Sequence, residues 1–180
     1  MSTNAAILPV VLDEFQKIKK LADKAIEQLS DEQLHTTIDP DANSVAVLMR
    51  HMAGNMRSRW TDFLTTDGEK PDRQRDTEFV EPFTSRAELM ERWEAGWDHV
   101  WRALGNLTDA DMERVVTIRA ERHSVMQAIN RQVAHYAYHV GQIVLLTKHF
   151  AGANWKALTI PKKQSKEFNA DVEAGKKSQR

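Results

Sequence analysis

A chain of 180 residues can hold one domain with a sizeable core, and 41 % hydrophobic with 28 % charged residues is the balance of a globular protein rather than a disordered one. With 25 Lys and Arg against 26 Asp and Glu, the net charge of −1 offers no basic excess to neutralise phosphates, which argues against a dedicated nucleic-acid binder. The absence of cysteine excludes disulfides, thiolate nucleophiles, iron–sulfur clusters and cysteine-type zinc sites, so any protein metal ligand has to be His, Asp or Glu.

The apolar run Ala5 to Leu12 has no basic residue before it and Asp13-Glu14 directly after it. It reads as the start of a first helix rather than as a secretory signal. That helix is expected over about Ala6 to Leu29, where Leu8, Leu12, Phe15, Ile18, Ala22, Ala25 and Leu29 recur every three or four positions. A second helix is expected from about Ser44 to Thr65, with Asn43 or Ser44 as its N-cap. The charged stretch Thr66 to Thr84, interrupted by Gly68, Pro71 and Pro82, reads as one long crossover loop. Ser85 and Glu88 form a capping box for a third helix with the stripe Leu89, Trp93, Trp97, Val100, Trp101 and Leu104. The β-branched stretch Val115 to Ile118 reads as a short extended piece. Ser124 and Gln127 repeat the capping box at the head of a fourth helix that runs to about Phe150. The segments LSDEQL (Leu29 to Leu34) and LTDADM (Leu107 to Met112) echo each other after the first and third helices, as if two helix pairs were related.

The expected fold is therefore all-α, a four-helix bundle with a long crossover loop, and such bundles build sites from side chains on facing helices. The expected domain spans residues 1–160, with a polar C-terminal extension over 161–180 that reads as a mobile or partner-bound tail. Lys162 to Arg180 carries six basic and three acidic side chains, more simply a solvated tail than a binding arm. No stretch approaches the roughly 20 apolar residues needed to cross a bilayer, so the expectation is a soluble, cytoplasmic protein without a membrane partner.

Chemistry concentrates in the fourth helix, which contains A-H-Y-A-Y-H-V-G-Q. His135 and His139, four apart, lie about 40° from each other and one turn apart on one face. Two imidazoles so placed can reach one ion at about 2.0–2.1 Å. On the wheel the core stripe is Val125, Met126, Ile129, Val133, Tyr136, Val140, Ile143 and Val144, which puts the two histidines at its edge. His51 is the best candidate for a third ligand, on a helix-two face shared with Ser44, Leu48, Asn55 and Ser58. The opposite face, Met49, Ala53, Met56, Trp60 and Phe63, is the more natural packing surface. His99 shares its face with Arg92 and Arg102 and is expected to be exposed; His35 falls in a loop, His123 just before an N-cap, and His149 near a helix end. From spacing alone, a metal pair and two partly buried, hydrogen-bonded histidines are equally good readings of H-x-x-x-H. No Glu follows the first His, so this is not the H-E-x-x-H of metalloproteases.

Three stretches together resemble the DinB-like superfamily of four-helix-bundle metal-dependent enzymes, in its uncharacterised bacterial branch. They are NSVAVLMRHMAGN, HSVMQAINRQVAHYAYHVGQIVLLTKHF and IPKKQSKEFN, and the resemblance covers about residues 6 to 170. It implies a bundle with long crossover connections, often paired as a homodimer, and a divalent metal on one His of helix two and the H-x-x-x-H pair: His51, His135 and His139. It also implies a link to low-molecular-weight thiols, since characterised relatives are thiol-using transferases or a thiol-dependent isomerase.

Under that resemblance the first functional reading is a metal-dependent enzyme of the thiol-dependent transferase or hydrolase type, acting on a small-molecule substrate. A neutral three-His site leaves the ion fully cationic, able to bind a thiolate or acidify water. Zinc and nickel stand first as the ion, with iron, manganese and copper behind them. Arg131 is placed to orient an anionic group, and Asn55 and Gln142 to hydrogen-bond substrate or bound water, although long polar side chains on helix edges are usually just solvated. No Asp or Glu lies within one helical turn of the three histidines on their faces, so no general base is visible. The second reading is a non-catalytic metal-binding or stress-response bundle, and the third a structural helical dimer with vestigial histidines. The ladder Trp93, Trp97 and Trp101 reads as core or dimer interface, and Trp60 and Met56 suit a dimer contact equally well.

Overall fold

A computed structural model describes residues 6–80 and 84–178; Ala5, Pro82 and Arg180 lie outside the described residues. The described chain is mostly helical. Four long helices run over α1 (Ile7–Ile26), α3 (Val45–Trp60), α4 (Arg86–Gly105) and α5 (Val125–Ala151). Two short ones, α2 (Asp31–His35) and α6 (Ser165–Glu173), three 3₁₀ segments and an antiparallel pair β1 (Val115–Ile118) and β2 (Glu121–Ser124) complete the described elements.

Caps set several of the starts. Ser44, Ser85 and Ser124 each accept a hydrogen bond from the backbone N–H three residues on, and at α4 and α5 Glu88 and Gln127 close the capping box. The LSDEQL and LTDADM echo has the same local cause. Ser30 with Gln33 caps α2, and Thr108 with Asp111 caps a single helical turn at Asp109–Asp111. His35 is thus the last residue of a short helix rather than part of a loop.

The second helix stops at Trp60, five residues before the expected end. Thr61 is extended, and Asp62 turns the chain at φ 48°. Every α3 residue except Gly54 and Arg57 is buried, so both faces of this helix are packing faces. It lies against α4 on one side and against α5 on another, while α1 packs on α5. Gly96 permits the α3–α4 approach: a Cβ there would fall 2.9 Å from the Ala53 Cα.

One core joins the long helices. Trp97 is fully buried, with the rings of Phe15, Trp93, Trp101 and Tyr136 around it at centroid distances of 5.3–6.5 Å. Trp93, Trp60 and Met56 are buried too, which assigns them to the core of the single chain and not to a dimer contact. On α5 the buried stripe includes Gln132, His139 and Leu146, while Met126, Val133 and Val144 are only partly buried. The core face is therefore rotated toward the histidines relative to the wheel reading, and His139 sits within it rather than at its edge.

The extended piece at Val115–Ile118 is present, and it pairs with Glu121–Ser124. The two-residue turn between them, Arg119-Ala120, has φ of 55° and 63°, the left-handed pair that closes a tight hairpin. The crossover after α3 contains a 3₁₀ segment at Arg75–Phe79 that packs on α3. In the C-terminal extension, Ser165–Glu173 forms α6, none of whose residues is buried.

Candidate metal centre

α3 and α5 bring the three histidines together. His51 is 4 % exposed and His139 9 % exposed, while His135 is half-buried. The Nε2 of His135 is 3.1 Å from that of His139 and 3.4 Å from that of His51. One ring nitrogen from each residue lies within 4.8 Å of the other two.

The outer nitrogens fix the tautomers. His51 Nδ1 is 2.9 Å from Glu78 Oε2, and an ionised carboxylate can only accept, so Nδ1 carries the proton and donates. His139 Nδ1 lies 2.8 Å from Gln142 Oε1 and donates in the same way. Gln142 in turn donates from Nε2 to the Tyr138 hydroxyl at 3.3 Å, which orients the amide. Both assignments leave Nε2 as a bare lone pair, and both lone pairs face the Nε2 of His135. A single proton on that nitrogen can serve only one of them. A cation in the middle satisfies all three at once.

The protonation states agree. Burial pushes His135 down to about 3, and so do the charges it would face: His139 and His51 whenever they are protonated, with Arg59 and Arg73. Burial also lowers His139. Both rings are neutral near pH 7, as metal ligands must be. The distances suit an ion as well. Two nitrogens at 2.0–2.1 Å on a tetrahedral ion stand about 3.3 Å apart, close to the 3.1 and 3.4 Å observed.

Glu78 is the residue that helix-face reasoning could not supply. It comes from the 3₁₀ segment of the crossover, 27 residues after His51. Burial alone would raise its pKa, but hydrogen bonds from His51 and Arg73 hold it below the ordinary carboxylate value. Arg73 grips it with two bonds of 2.9 Å, Nε to Oε1 and Nη2 to Oε2. Glu78 takes the nitrogen on the far side of the His51 ring from the cluster and so orients that ring. The only hint of it in the sequence is Gly54, one turn past His51. A Cβ there would fall 2.3 Å from Glu78 Oε1, so a side chain at this position would displace the carboxylate.

A cleft of about 320 Å³ opens beside the centre, with His51 and His135 in its wall. Asn55 and Arg131 line it as well. Asn55 is held by a buried chain in which Trp60 Nε1 donates to the Tyr136 hydroxyl at 2.9 Å, and that hydroxyl donates to Asn55 Oδ1 at 3.2 Å. Gln142 is not in the cleft wall; it orients His139. A larger hollow of about 460 Å³ lies between α3 and α4 behind Glu78, and its walls contain none of the three histidines.

The remaining histidines have other surroundings. His99 is half-buried rather than exposed, with Nδ1 3.3 Å from the Thr61 hydroxyl, because α4 leans onto the end of α3. His35 Nε2 lies 3.0 Å from the Thr84 carbonyl oxygen, to which it donates. His123 pairs with Val116 in the hairpin, and His149 is exposed on α5. Among the described residues no helix is long and apolar enough to cross a membrane.

Residues 2–164 match a family model described as a protein of unknown function (DUF1572). No curated protein matches the chain, and no solved structure does.

Proposed function

From a chain that belongs to the family of unknown function DUF1572, we propose a divalent-metal protein whose ion sits on His51, His135 and His139. We further read its four long helices as a DinB-like four-helix bundle over residues 1–160, with 161–180 as a polar extension. The observation that carries the metal reading is the convergence of three Nε2 atoms, two of which, on His51 and His139, are left as lone pairs by the partners of their Nδ1 atoms and face the third.

The adjoining cleft favours an enzyme over a closed, non-catalytic metal protein, because a small molecule can reach the Nε2 side of His51 and His135. A divalent ion bound there supplies Lewis acidity and lowers the pKa of a thiol or water that it holds. The chain's own residues do the rest. Glu78, fixed by Arg73, holds the His51 tautomer, and Gln142 holds that of His139. Asn55 and Arg131 line the space beside the three histidines. The reaction class that suits this set is transfer of a small thiol, or hydrolysis, in the cytoplasm, with zinc or nickel as the metal and a homodimer as the working unit.

The test is metal analysis by mass spectrometry on untagged protein, wild type beside His51→Ala and His135→Ala. The expected result is one divalent ion per chain in the wild type and none in either variant. Wild-type protein that stays metal-free after zinc or nickel is added and the excess removed overturns the reading.

A further inference from the structure

The wall of the cleft beside the histidines holds five arginines drawn from four separate parts of the chain. Arg59 comes from α3, Arg73 and Arg75 from the crossover, Arg119 from the hairpin turn and Arg131 from α5. A chain with a net charge of −1 has no general surplus to place there. The concentration is local.

The carboxylates in contact with these five are too few to neutralise them. Glu69 is shared, at 2.9 Å from Arg59, 3.5 Å from Arg73 and 3.2 Å from Arg119. Glu78 pairs with Arg73. Arg75 lies over the Phe79 ring at 4.9 Å, and among the described residues the one carboxylate it reaches is the fully exposed Asp76, at 3.9 Å. Arg131 forms no ion pair or hydrogen bond among the described residues. Two well-placed carboxylates thus face five guanidiniums, and Arg75, Arg119 and Arg131 at the rim are exposed with fork nitrogens to spare. Arg59 Nε, a donor, and Gln132 Oε1, an acceptor, are buried without a partner among the described residues, and both side chains line this cleft and the small void next to it.

The hairpin is built to deliver one of these charges. Arg119 and Ala120 both sit in the left-handed region, which costs any residue with a Cβ. Asp67 offsets that cost by accepting from both of their N–H groups at 2.8 Å. The turn that results places the Arg119 side chain in the cleft wall.

We infer that the cleft binds a small substrate carrying at least two oxyanion groups, carboxylate or phosphate, held by Arg75, Arg119 and Arg131 beside the histidine centre. Guanidinium forks match the oxygens of both groups two at a time, whereas a neutral substrate would cover these cations without replacing the water they lose. A cleft of about 320 Å³ limits the ligand to a small molecule. As a statement about the substrate this rests on the proposed metal enzyme; as a statement about anion binding it can be tested without the metal.

The experiment titrates succinate, succinamate, succinamide and inorganic phosphate into the full chain, metal-free and zinc-loaded, by calorimetry. Wild type is compared with Arg119→Gln/Arg131→Gln, two exposed positions outside the core. Succinate is expected to bind at least tenfold tighter than succinamide, with succinamate between them. The double variant is expected to lose most of that preference. Raising salt from about 0.05 to 0.5 M should weaken the preference in the wild type, a readout that needs no variant. Phosphate binding tighter than succinate supports a phosphate ester as ligand, and the reverse order a dicarboxylate. Equal binding of succinate and succinamide, or a preference unchanged in the double variant, overturns the inference. If arginine-dependent binding appears in protein that takes up no metal, the anion site stands and the metal reading falls. If metal-loaded protein is indifferent to anions, the anion site falls and the metal reading stands.

Discussion

At the scale of single residues, the centre depends on contacts one step removed from the proposed ligands. Glu78 takes the proton-bearing side of His51, and Gly54 leaves it the room to do so. Glycine in mid-helix costs about 0.5–1 kcal/mol relative to alanine, so Gly54→Ala should favour α3 by propensity alone. The added methyl would nevertheless fall 2.3 Å from Glu78 Oε1, and the carboxylate would have to leave its place between His51 and Arg73. Gly54→Ala and Glu78→Ala are therefore expected to weaken zinc affinity about 10–100-fold, the usual effect of losing an outer partner of a ligand histidine. Competition titration against a chromogenic chelator measures it. Affinity unchanged in both variants would show that Glu78 does not set the His51 tautomer.

At the scale of elements, what the sequence disclosed follows from how each element is encoded. The long helices were legible because apolar residues repeat at helical spacing and Ser44, Ser85 and Ser124 announce their starts. The His51, His135 and His139 juxtaposition was legible because two of them share a face and the third stands in a polar strip on a neighbouring helix. The second hairpin strand, Glu121-Arg122-His123-Ser124, was not, since none of its residues is apolar and it gains its place by pairing with Val115–Ile118. Glu78 and Arg73 were hidden for a similar reason: a charged crossover gives no periodic signal, and only tertiary packing on α3 brings them to His51. The hairpin carries its own consequence. Burial alone would raise the pKa of Asp67, yet the N–H groups of Glu69, Ala120 and Arg119 hold it down to about 2, from an ordinary 3.8. A carboxyl whose folded pKa is depressed contributes stability above its unfolded pKa, and loses it as pH falls through the folded one. The contribution of Asp67 is thus whole above about pH 4 and fades between about pH 4 and 2. Urea unfolding at pH 7 and pH 3 should show Asp67→Asn less stable than wild type at the higher pH and closer to it at the lower. An equal deficit at both values would mean that the charge of Asp67 is not what secures the turn.

At the scale of the whole molecule, the proposed centre ties together parts of the chain that the core joins only in part. α3 meets α5 across the histidine cluster, the crossover enters through Glu78 and Arg73, and the hairpin reaches the same cleft through Arg119. An ion bound there needs all of these in place and has no comparable site in the unfolded chain, so binding must stabilise the fold by mass action. With free metal at about 100 times the dissociation constant, that stabilisation is about 2.7 kcal/mol. For a chain of this length each kcal/mol moves the melting temperature by about 2–4 °C, so the expected rise is roughly 5–11 °C. Calorimetry with zinc, then with an added chelator, should show the rise and its reversal. In His135→Ala the rise should vanish while the metal-free melting temperature stays near that of the wild type, because this ring is only half-buried and its neutral form gives the core little. A metal-free variant that melts far below the metal-free wild type would give His135 a packing role. The histidine cluster would then be part of what holds α3 to α5 even without an ion.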